Sequence, residues 1–201
     1  MKICATSDLH GFLPEIKPCE LVLICGDIMP LRMQRNIPQS EKWLKTTFAD
    51  WVKSLPCEAV VMVGGNHDWV LFNMYQDFLK QNALLRTPTN GKLVLLENTI
   101  YKHISSEGKI YTIWGTPFCK PFGNWAFMYE PETLIKAYET MPEYCDIVLS
   151  HDCYVDLVKY IKAHRKELML EIPGWQMKCF ENIPNIHFAD IFIVESMNYN
   201  S

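Results

Sequence analysis

The chain has 201 residues and a formal net charge of −4, from 19 basic and 23 acidic side chains. This length, with 49% hydrophobic residues, suits one compact domain that buries a substantial core, and we expect a single domain over residues 1–201. The acidic balance disfavours a surface that binds extended nucleic acid.

The eight cysteines include no Cys-x-x-Cys pair, and Cys4 and Cys25 lie inside apolar runs. This pattern is typical of free thiols packed as small hydrophobic side chains, which predicts a reducing, cytoplasmic location. No apolar signal core precedes Asp8, and the run Ala59–Val63 is too short to cross a bilayer. We therefore expect no membrane attachment.

The first predicted strands are Ile3–Thr6 and Leu21–Cys25, short apolar runs without alternation that indicate burial on both faces. A helix is predicted over residues 41–52, with Ser40 as its N-cap. The next predicted strand is Ala59–Val63.

The rest of the chain continues to alternate strands and helices. Strands are predicted over residues 93–96, 100–104, 109–114, 147–149 and 191–194, and helices over residues 69–79, 131–138 and 155–170. Residues 105–108 carry a hairpin signal between two of these strands. The alternation predicts an α/β fold to which the hairpin adds an antiparallel part.

Polar residues follow four of the predicted strands at their carboxyl ends. They are Asp8 and His10, then Asp27, then Asn66, His67 and Asp68, and finally His151. In open α/β sheets this edge is where ligands bind. Asp8 and His10 are two positions apart, so in an extended segment both point toward the same ion.

The residue types in this set predict a particular class of metal. Carboxylate, imidazole and amide oxygen suit manganese, iron, zinc or nickel, and the two oxygens of Asp27 allow it to bridge two cations. Taken singly, the motifs have structural alternatives, because Asp68 and His151-Asp152 could each cap a following helix. Their occurrence in order, each after a strand, favours a shared metal site.

The ordered motifs resemble those of the calcineurin-like metallophosphoesterase superfamily. Its first four blocks are matched by Asp8-Leu9-His10, Gly26-Asp27, Gly65-Asn66-His67-Asp68 and Ser150-His151. The resemblance extends to about Asp152 and implies a two-sheet sandwich flanked by helices. The resemblance does not extend to the segment from about residue 153 onward, which is atypical of the family.

The resemblance also implies two divalent metal ions and a proton donor. The implied ligands are Asp8 and His10 for the first ion, Asn66 and His151 for the second, and Asp27 as a bridge between them. His67 would contact the phosphate and protonate the leaving oxygen, and Asp68 would orient the His67 ring.

The final block of the family, Gly-His-x-His, does not occur after His151. The nearest match is Pro184-Asn185-Ile186-His187, which would give His187 to the first ion and Asn185 to the second. An amide oxygen is a weaker ligand than imidazole, so this alignment predicts loose binding of the second ion. The alternative is an unrelated tail in which His187 lies at the surface.

The resemblance implies metal-dependent hydrolysis of a phosphate ester by a metal-activated hydroxide, with a small phosphodiester or nucleotide as substrate. A nuclease of the same superfamily and a non-catalytic scaffold that binds a partner are the alternatives. The aromatic residues Phe118, Phe122, Trp125 and Phe127 either form a lip that stacks a flat group or belong mostly to the core.

Overall fold

A computed structural model describes residues 1–142, 145–152, 177–179 and 191–194 of the chain. The predicted helix over residues 155–170 lies outside these residues, as do Asn185 and His187.

The first sheet consists of four parallel strands in the order β1-β2-β3-β4. They are β1 (Ile3–Thr6), β2 (Leu21–Cys25), β3 (Ala59–Val63) and β4 (Leu93–Leu95). The first three match the predicted strands, and β4 ends one residue earlier than predicted. Since every strand runs the same way, the loops that leave β1, β2 and β3 emerge at one edge.

The second sheet has five strands in the order β5-β6-β7-β9-β8. They are β5 (Thr99–Ile104), β6 (Ile110–Thr116), β7 (Ile147–Ser150), β8 (Met177–Cys179) and β9 (Ile191–Val194). Strands β6 and β7 pair in parallel and the other neighbours are antiparallel. Sequence reasoning missed β8.

The two sheets pack face to face, which confirms the predicted α/β sandwich. Successive residues of β2 point to opposite faces of the sheet, as in any β-strand. Leu21, Leu23 and Cys25 join a buried cluster with Ile113, Ile147 and Leu149 of the second sheet, whereas Val22 and Ile24 belong to a cluster shared with the helices. Burial on both faces explains why β2 reads as an unbroken apolar run.

The helices cover the outer faces of the sandwich. They are α1 (Ile37–Trp43), α2 (Ala49–Ser54), α3 (Trp69–Asn73), α4 (Phe78–Gln81) and α5 (Pro131–Tyr138). Leu44–Phe48 joins α1 to α2 as a π-helical segment, and Asn82–Arg86 continues α4 in the same form. The prediction for residues 131–138 is confirmed at both ends.

Two helix predictions were wrong in detail. The first helix begins at Ile37 rather than after Ser40, because the side chain of Asn36 accepts the backbone N–H of Gln39 and Ser40 Oγ instead donates to the carbonyl of Met33. The predicted helix over residues 69–79 is broken at Gln76, whose φ is 63°. Asp77 then caps a separate helix by accepting the N–H of Lys80.

Within the described parts of the chain, none of the helices combines the length and apolarity that a bilayer crossing requires. No disulfide joins the six cysteines whose side chains the structure describes, which are Cys4, Cys19, Cys25, Cys57, Cys119 and Cys145.

Candidate metal centre

The polar residues predicted from the sequence meet where the loops after β1, β2, β3 and β7 converge. Backbone hydrogen bonds continue beyond the paired strands and lock the first two loops together. The N–H of Asp8 donates to the carbonyl of Gly26 at 3.1 Å, and the N–H of His10 donates to that of Asp27 at 2.8 Å. Asp8 and Asp27 are thereby held on neighbouring turns.

Three of these residues have a left-handed backbone. Asp8, His10 and Asp27 have φ values of 51°, 44° and 54°. This conformation is uncommon outside glycine, costs free energy and is concentrated at functional sites. Here it turns the backbone sharply in the loops that follow β1 and β2.

The close approach of the loops depends on Gly65. A Cβ atom at this position would lie 2.2 Å from Asp27 Oδ1 and 2.8 Å from His151 Cε1. Any side chain here would collide with two of the candidate ligands, so glycine is required for the site to close.

His10, Asp27 and His67 form one group of potential ligands. Each offers an atom within 4.8 Å of those of the other two. The Nε2 atoms of His10 and His67 both lie 3.8 Å from Asp27 Oδ2. Nδ1 of His10 is buried and has no hydrogen-bond partner among the described residues. Asp8 does not belong to this group: its carboxylate accepts the hydroxyl of Ser7, and its charge acts on Asp27.

His151, Asn66 and Asp27 form a second group. Nδ1 of His151 lies 2.7 Å from the carbonyl oxygen of Cys25, and since a carbonyl only accepts, this nitrogen carries the proton. In the neutral ring Nε2 is then a bare acceptor. It faces Asn66 Oδ1 at 2.9 Å and Asp27 Oδ1 at 3.5 Å.

This donor set fits divalent cations. Lone pairs of Nε2 and of two oxygens face one another, and they repel unless a proton or a cation lies among them. Asp27 directs Oδ2 toward His10 and His67 and Oδ1 toward His151, so each oxygen serves a different group. Nitrogen and oxygen ligands of this kind suit first-row transition metals.

The titration behaviour of the site reflects its burial. Burial raises the pKa of Asp27 to about 7, the N–H of His67 opposes this rise, and the charge of Asp8 adds to it. Burial also lowers the pKa of His67 to about 4, helped by the positive charges of His10, His151 and Arg35. Both shifts disfavour the charged forms in the absence of a bound cation.

Asp68 has a different partner from the one expected. Its carboxylate accepts the N–H groups of Ile28 at 3.3 Å, Met29 at 3.0 Å and Gly65 at 2.9 Å. It therefore ties the loop after β2 to the loop after β3. The expected hydrogen bond from Asp68 to the His67 ring is replaced by one to Gln34, whose Oε1 lies 2.5 Å from Nδ1 of His67.

The loop after Asp27 supplies residues that sequence reasoning missed. Gln34 contacts His67, and the next residue, Arg35, lies between two indole rings, 4.6 Å from the centroid of Trp69 and 5.1 Å from that of Trp125. Arg35 Nη2 also donates to the carbonyl of Asn124 at 2.7 Å. An open depression of about 700 Å³ is lined by residues 31, 32 and 34–38. The only sequence signal was the pair of arginines shortly after Gly26-Asp27.

The aromatic stretch divides between core and rim. Phe118 and Phe127 are buried, so for them the core alternative is correct. Trp125 is half-buried, and its ring lies against that of His67 with centroids 4.4 Å apart and an angle of 41° between the planes. Phe122 is 63% exposed.

Comparison with known sequences identifies relatives of this chain. The family profile of calcineurin-like phosphoesterases matches residues 1–161. The chain is 28% identical over 165 residues to "Metallophosphoesterase domain-containing protein 1" of Homo sapiens, and equally to that of Mus musculus, covering 75% of this chain and 48% of each relative. It is 23% identical over 151 residues to "Probable rhamnogalacturonate lyase C" of Emericella nidulans, covering 75% of this chain and 13% of that protein. The matched region thus spans about half, or less, of these relatives.

Proposed function

Because the chain belongs to the calcineurin-like phosphoesterase family, we propose that it hydrolyses a small phosphodiester or nucleotide with the help of two divalent metal ions. Metal-dependent phosphoester hydrolysis is the chemistry that this family indicates in general. The observation that carries the proposal is that Nε2 of His151, a bare acceptor in the neutral ring, meets two further acceptors, Asn66 Oδ1 at 2.9 Å and Asp27 Oδ1 at 3.5 Å.

The proposed ligands divide into two groups that share Asp27. Asp8 and His10 would hold one ion, Asn66 and His151 the other, and Asp27 would bridge them. His187 stays proposed as a further ligand of the first ion and Asn185 as a weaker ligand of the second. Bound manganese, iron, zinc or nickel would supply Lewis-acid chemistry that activates water and offsets charge on phosphoryl oxygens.

His67 is the proposed proton donor. Its ring stands against Trp125 on one side and meets the edge of His10 on another, with centroids 5.0 Å apart in the second case. Its Nε2 is the nitrogen that points toward the Asp27 group. From there it would protonate the leaving oxygen as the ester bond breaks. Asp68 supports this arrangement through the backbone rather than through the ring.

Arg35 and Trp125 support a substrate that is both anionic and flat. The guanidinium of Arg35 is exposed and stacked, and it has no carboxylate partner among the described residues. A planar guanidinium suits the recognition of phosphate oxygens, and the indole of Trp125 offers a surface on which a base or aryl group could stack.

The test is hydrolysis of bis(4-nitrophenyl) phosphate by protein stripped with chelator and then supplied with manganese, zinc or nickel. We expect turnover that depends on added metal and is lost in Asp27→Asn. The matched control is Asp146→Asn, because among the described residues the hydrogen bond of its side chain is with the N–H of Thr112, on the second sheet. Folded protein that binds no cation and shows no turnover would contradict the proposal and favour the scaffold.

Substrate class needs a second assay with the same protein. Nucleotide esters and a single-stranded oligonucleotide would be compared at equal phosphate concentration. A strong preference for the oligonucleotide would replace the small-ester proposal by the nuclease alternative.

A further inference from the structure

Gln34 makes the one hydrogen bond that fixes the side-chain ring of His67 in the described part of the chain. Its Oε1 lies 2.5 Å from Nδ1 of His67, and both side chains are partly buried. A side-chain carbonyl oxygen can only accept, so Nδ1 carries the proton in this arrangement. The neutral ring then has a bare Nε2.

The direction in which Nε2 points determines what this tautomer offers to the site. Nε2 lies 3.8 Å from Asp27 Oδ2 and faces the candidate metal centre, whereas Nδ1 faces away toward Gln34. The backbone N–H of His67 donates to Asp27 Oδ1 at 2.8 Å, which anchors the residue itself but leaves its ring free to choose a tautomer. The isolated imidazole of histidine favours the opposite form, with the proton on Nε2.

The surrounding aromatic contacts limit ring rotation but cannot select a proton position. The ring of Trp125 lies against that of His67, with centroids 4.4 Å apart, and the guanidinium of Arg35 lies 5.1 Å from the centroid of Trp125. A contact between rings does not depend on which nitrogen is protonated. The hydrogen bond to Gln34 is the contact that distinguishes the two nitrogens.

We propose that Gln34 is a positioning residue that holds His67 as the Nδ1–H tautomer and so presents Nε2 to the substrate. This inference rests on the proposed function for its catalytic consequence. In the protonated ring, Nε2–H would donate to the leaving oxygen while the phosphorus–oxygen bond breaks. The departing alcohol keeps that proton, the water consumed delivers its hydroxyl to phosphorus, and its remaining proton returns to Nε2. Nδ1–H stays bonded to Gln34 throughout.

The direct test is the ¹⁵N chemical shifts of the His67 ring in metal-free protein at about pH 8, where an ordinary histidine is neutral. We expect a protonated Nδ1 and a bare Nε2 in the wild type. Gln34→Leu removes the acceptor at similar size and should shift the ring toward Nε2–H, while Gln34→Glu keeps an acceptor and should preserve the wild-type pattern. Gln39→Leu, an exposed position on α1, is the matched control.

A wild-type ring protonated on Nε2, or a pattern unchanged in Gln34→Leu, would overturn the assignment. This result does not depend on turnover, so failure of the proposed function and failure of the role of Gln34 are separable.

Kinetics tests the catalytic half of the inference. If His67 protonates the leaving oxygen, Gln34→Leu should lower kcat by about 10-fold for an ester with a poorly leaving alkyl alcohol. The loss should be much smaller for a 4-nitrophenyl ester, whose leaving group needs no proton, and KM should change little. Equal losses for both esters would show that Gln34 acts only on structure.

Discussion

The ring of His151 hydrogen-bonds the carbonyl oxygen of Cys25 at 2.7 Å, although 126 positions of the chain separate them. Cys25 ends a strand of the first sheet and His151 follows a strand of the second. One contact thus joins the two sheets and also sets the proton position that leaves Nε2 of His151 bare. A cation bound at this point, as proposed, would couple to the packing of the sheets.

Added cation should therefore stabilise the fold. A ligand present at 100 times its dissociation constant and bound only to the native state adds about 2.7 kcal/mol, so manganese or zinc should raise the melting temperature of chelator-treated protein. Asp27→Asn should lose this rise, because it removes the charge shared by both ligand groups. Differential scanning calorimetry measures both effects.

The control for this experiment is Asp146→Asn, which should keep the full rise. An equal rise in Asp27→Asn would show that the cation binds elsewhere.

Arg35 should contribute to substrate binding through its charge. Arg35→Gln should lower kcat/KM for an anionic ester by about 10-fold, equivalent to about 1.4 kcal/mol, and raise the inhibition constant of inorganic phosphate similarly. Steady-state kinetics checks both numbers. Arg32→Gln changes an exposed arginine of the same segment and should have little effect. If both variants behave alike, the effect is one of net charge, and Arg35 has no special role.

Glu97 should make stability depend on pH. Burial raises its pKa to about 7, opposed by hydrogen bonds from Gln76 and Gln81, and its Oε1 is buried without a partner among the described residues. The folded state holds this proton more tightly than the unfolded state. The stabilising contribution of protonated Glu97 is therefore fully present below the ordinary glutamate pKa of 4.5 and is lost as the pH rises through about 7, a change on the order of 3 kcal/mol.

Urea unfolding between those pH values checks the prediction. Glu97→Gln mimics the protonated acid, so it should reduce the pH dependence and be more stable than the wild type above neutrality. The exposed Glu139→Gln is the control. If the free energy of unfolding depends on pH in Glu97→Gln as it does in the wild type, other groups cause that dependence.

Gly65→Ala should be strongly destabilising. Its Cβ would meet the backbone nitrogen of Asp27 at 2.4 Å, an atom that cannot rotate away. We expect a loss of about 2–4 kcal/mol in urea unfolding, together with loss of cation binding. Gly91→Ala is the comparison, since a Cβ there meets nothing within 4 Å and only the φ of +76° adds strain. Equal losses in the two variants would show that crowding is not the cause.

The sequence predicted the fold well where local pattern and tertiary burial agree. Leu21–Cys25 and Ala59–Val63 are apolar throughout because both faces are covered, so their limits follow from composition. Ile3–Thr6 lies at the edge of the sheet and is only partly buried, so its limits were correct but the burial expected on both faces was not. The short strand β8 has no such run and was missed. Asn36 was overlooked as an N-cap because Ser40 was an equally good cap by residue type, and only the fold decides between them.

The candidate site was predicted in outline for a similar reason. Residues that follow parallel strands must meet at one edge, and this placed Asp27 near Asn66 and His151. Contacts from an irregular loop follow no such rule, so Gln34 and Arg35 could not be found. The partners of Asp68 were also beyond sequence reasoning, because two of the backbone N–H groups that donate to it lie 39 and 40 positions away. A single domain over residues 1–201 and a cytoplasmic location stay predictions.

The left-handed backbone at Asp8, His10 and Asp27 positions the candidate site at a cost in folding stability. Glycine would adopt the same dihedral angles without steric cost. An inactive form of the chain would therefore be more stable with glycine at these three positions. Restoring such an inactive chain to activity would then require three substitutions that each weaken it. A protein engineer who wants a rigid scaffold from this fold should begin by replacing these three candidate metal-ligating residues with glycine.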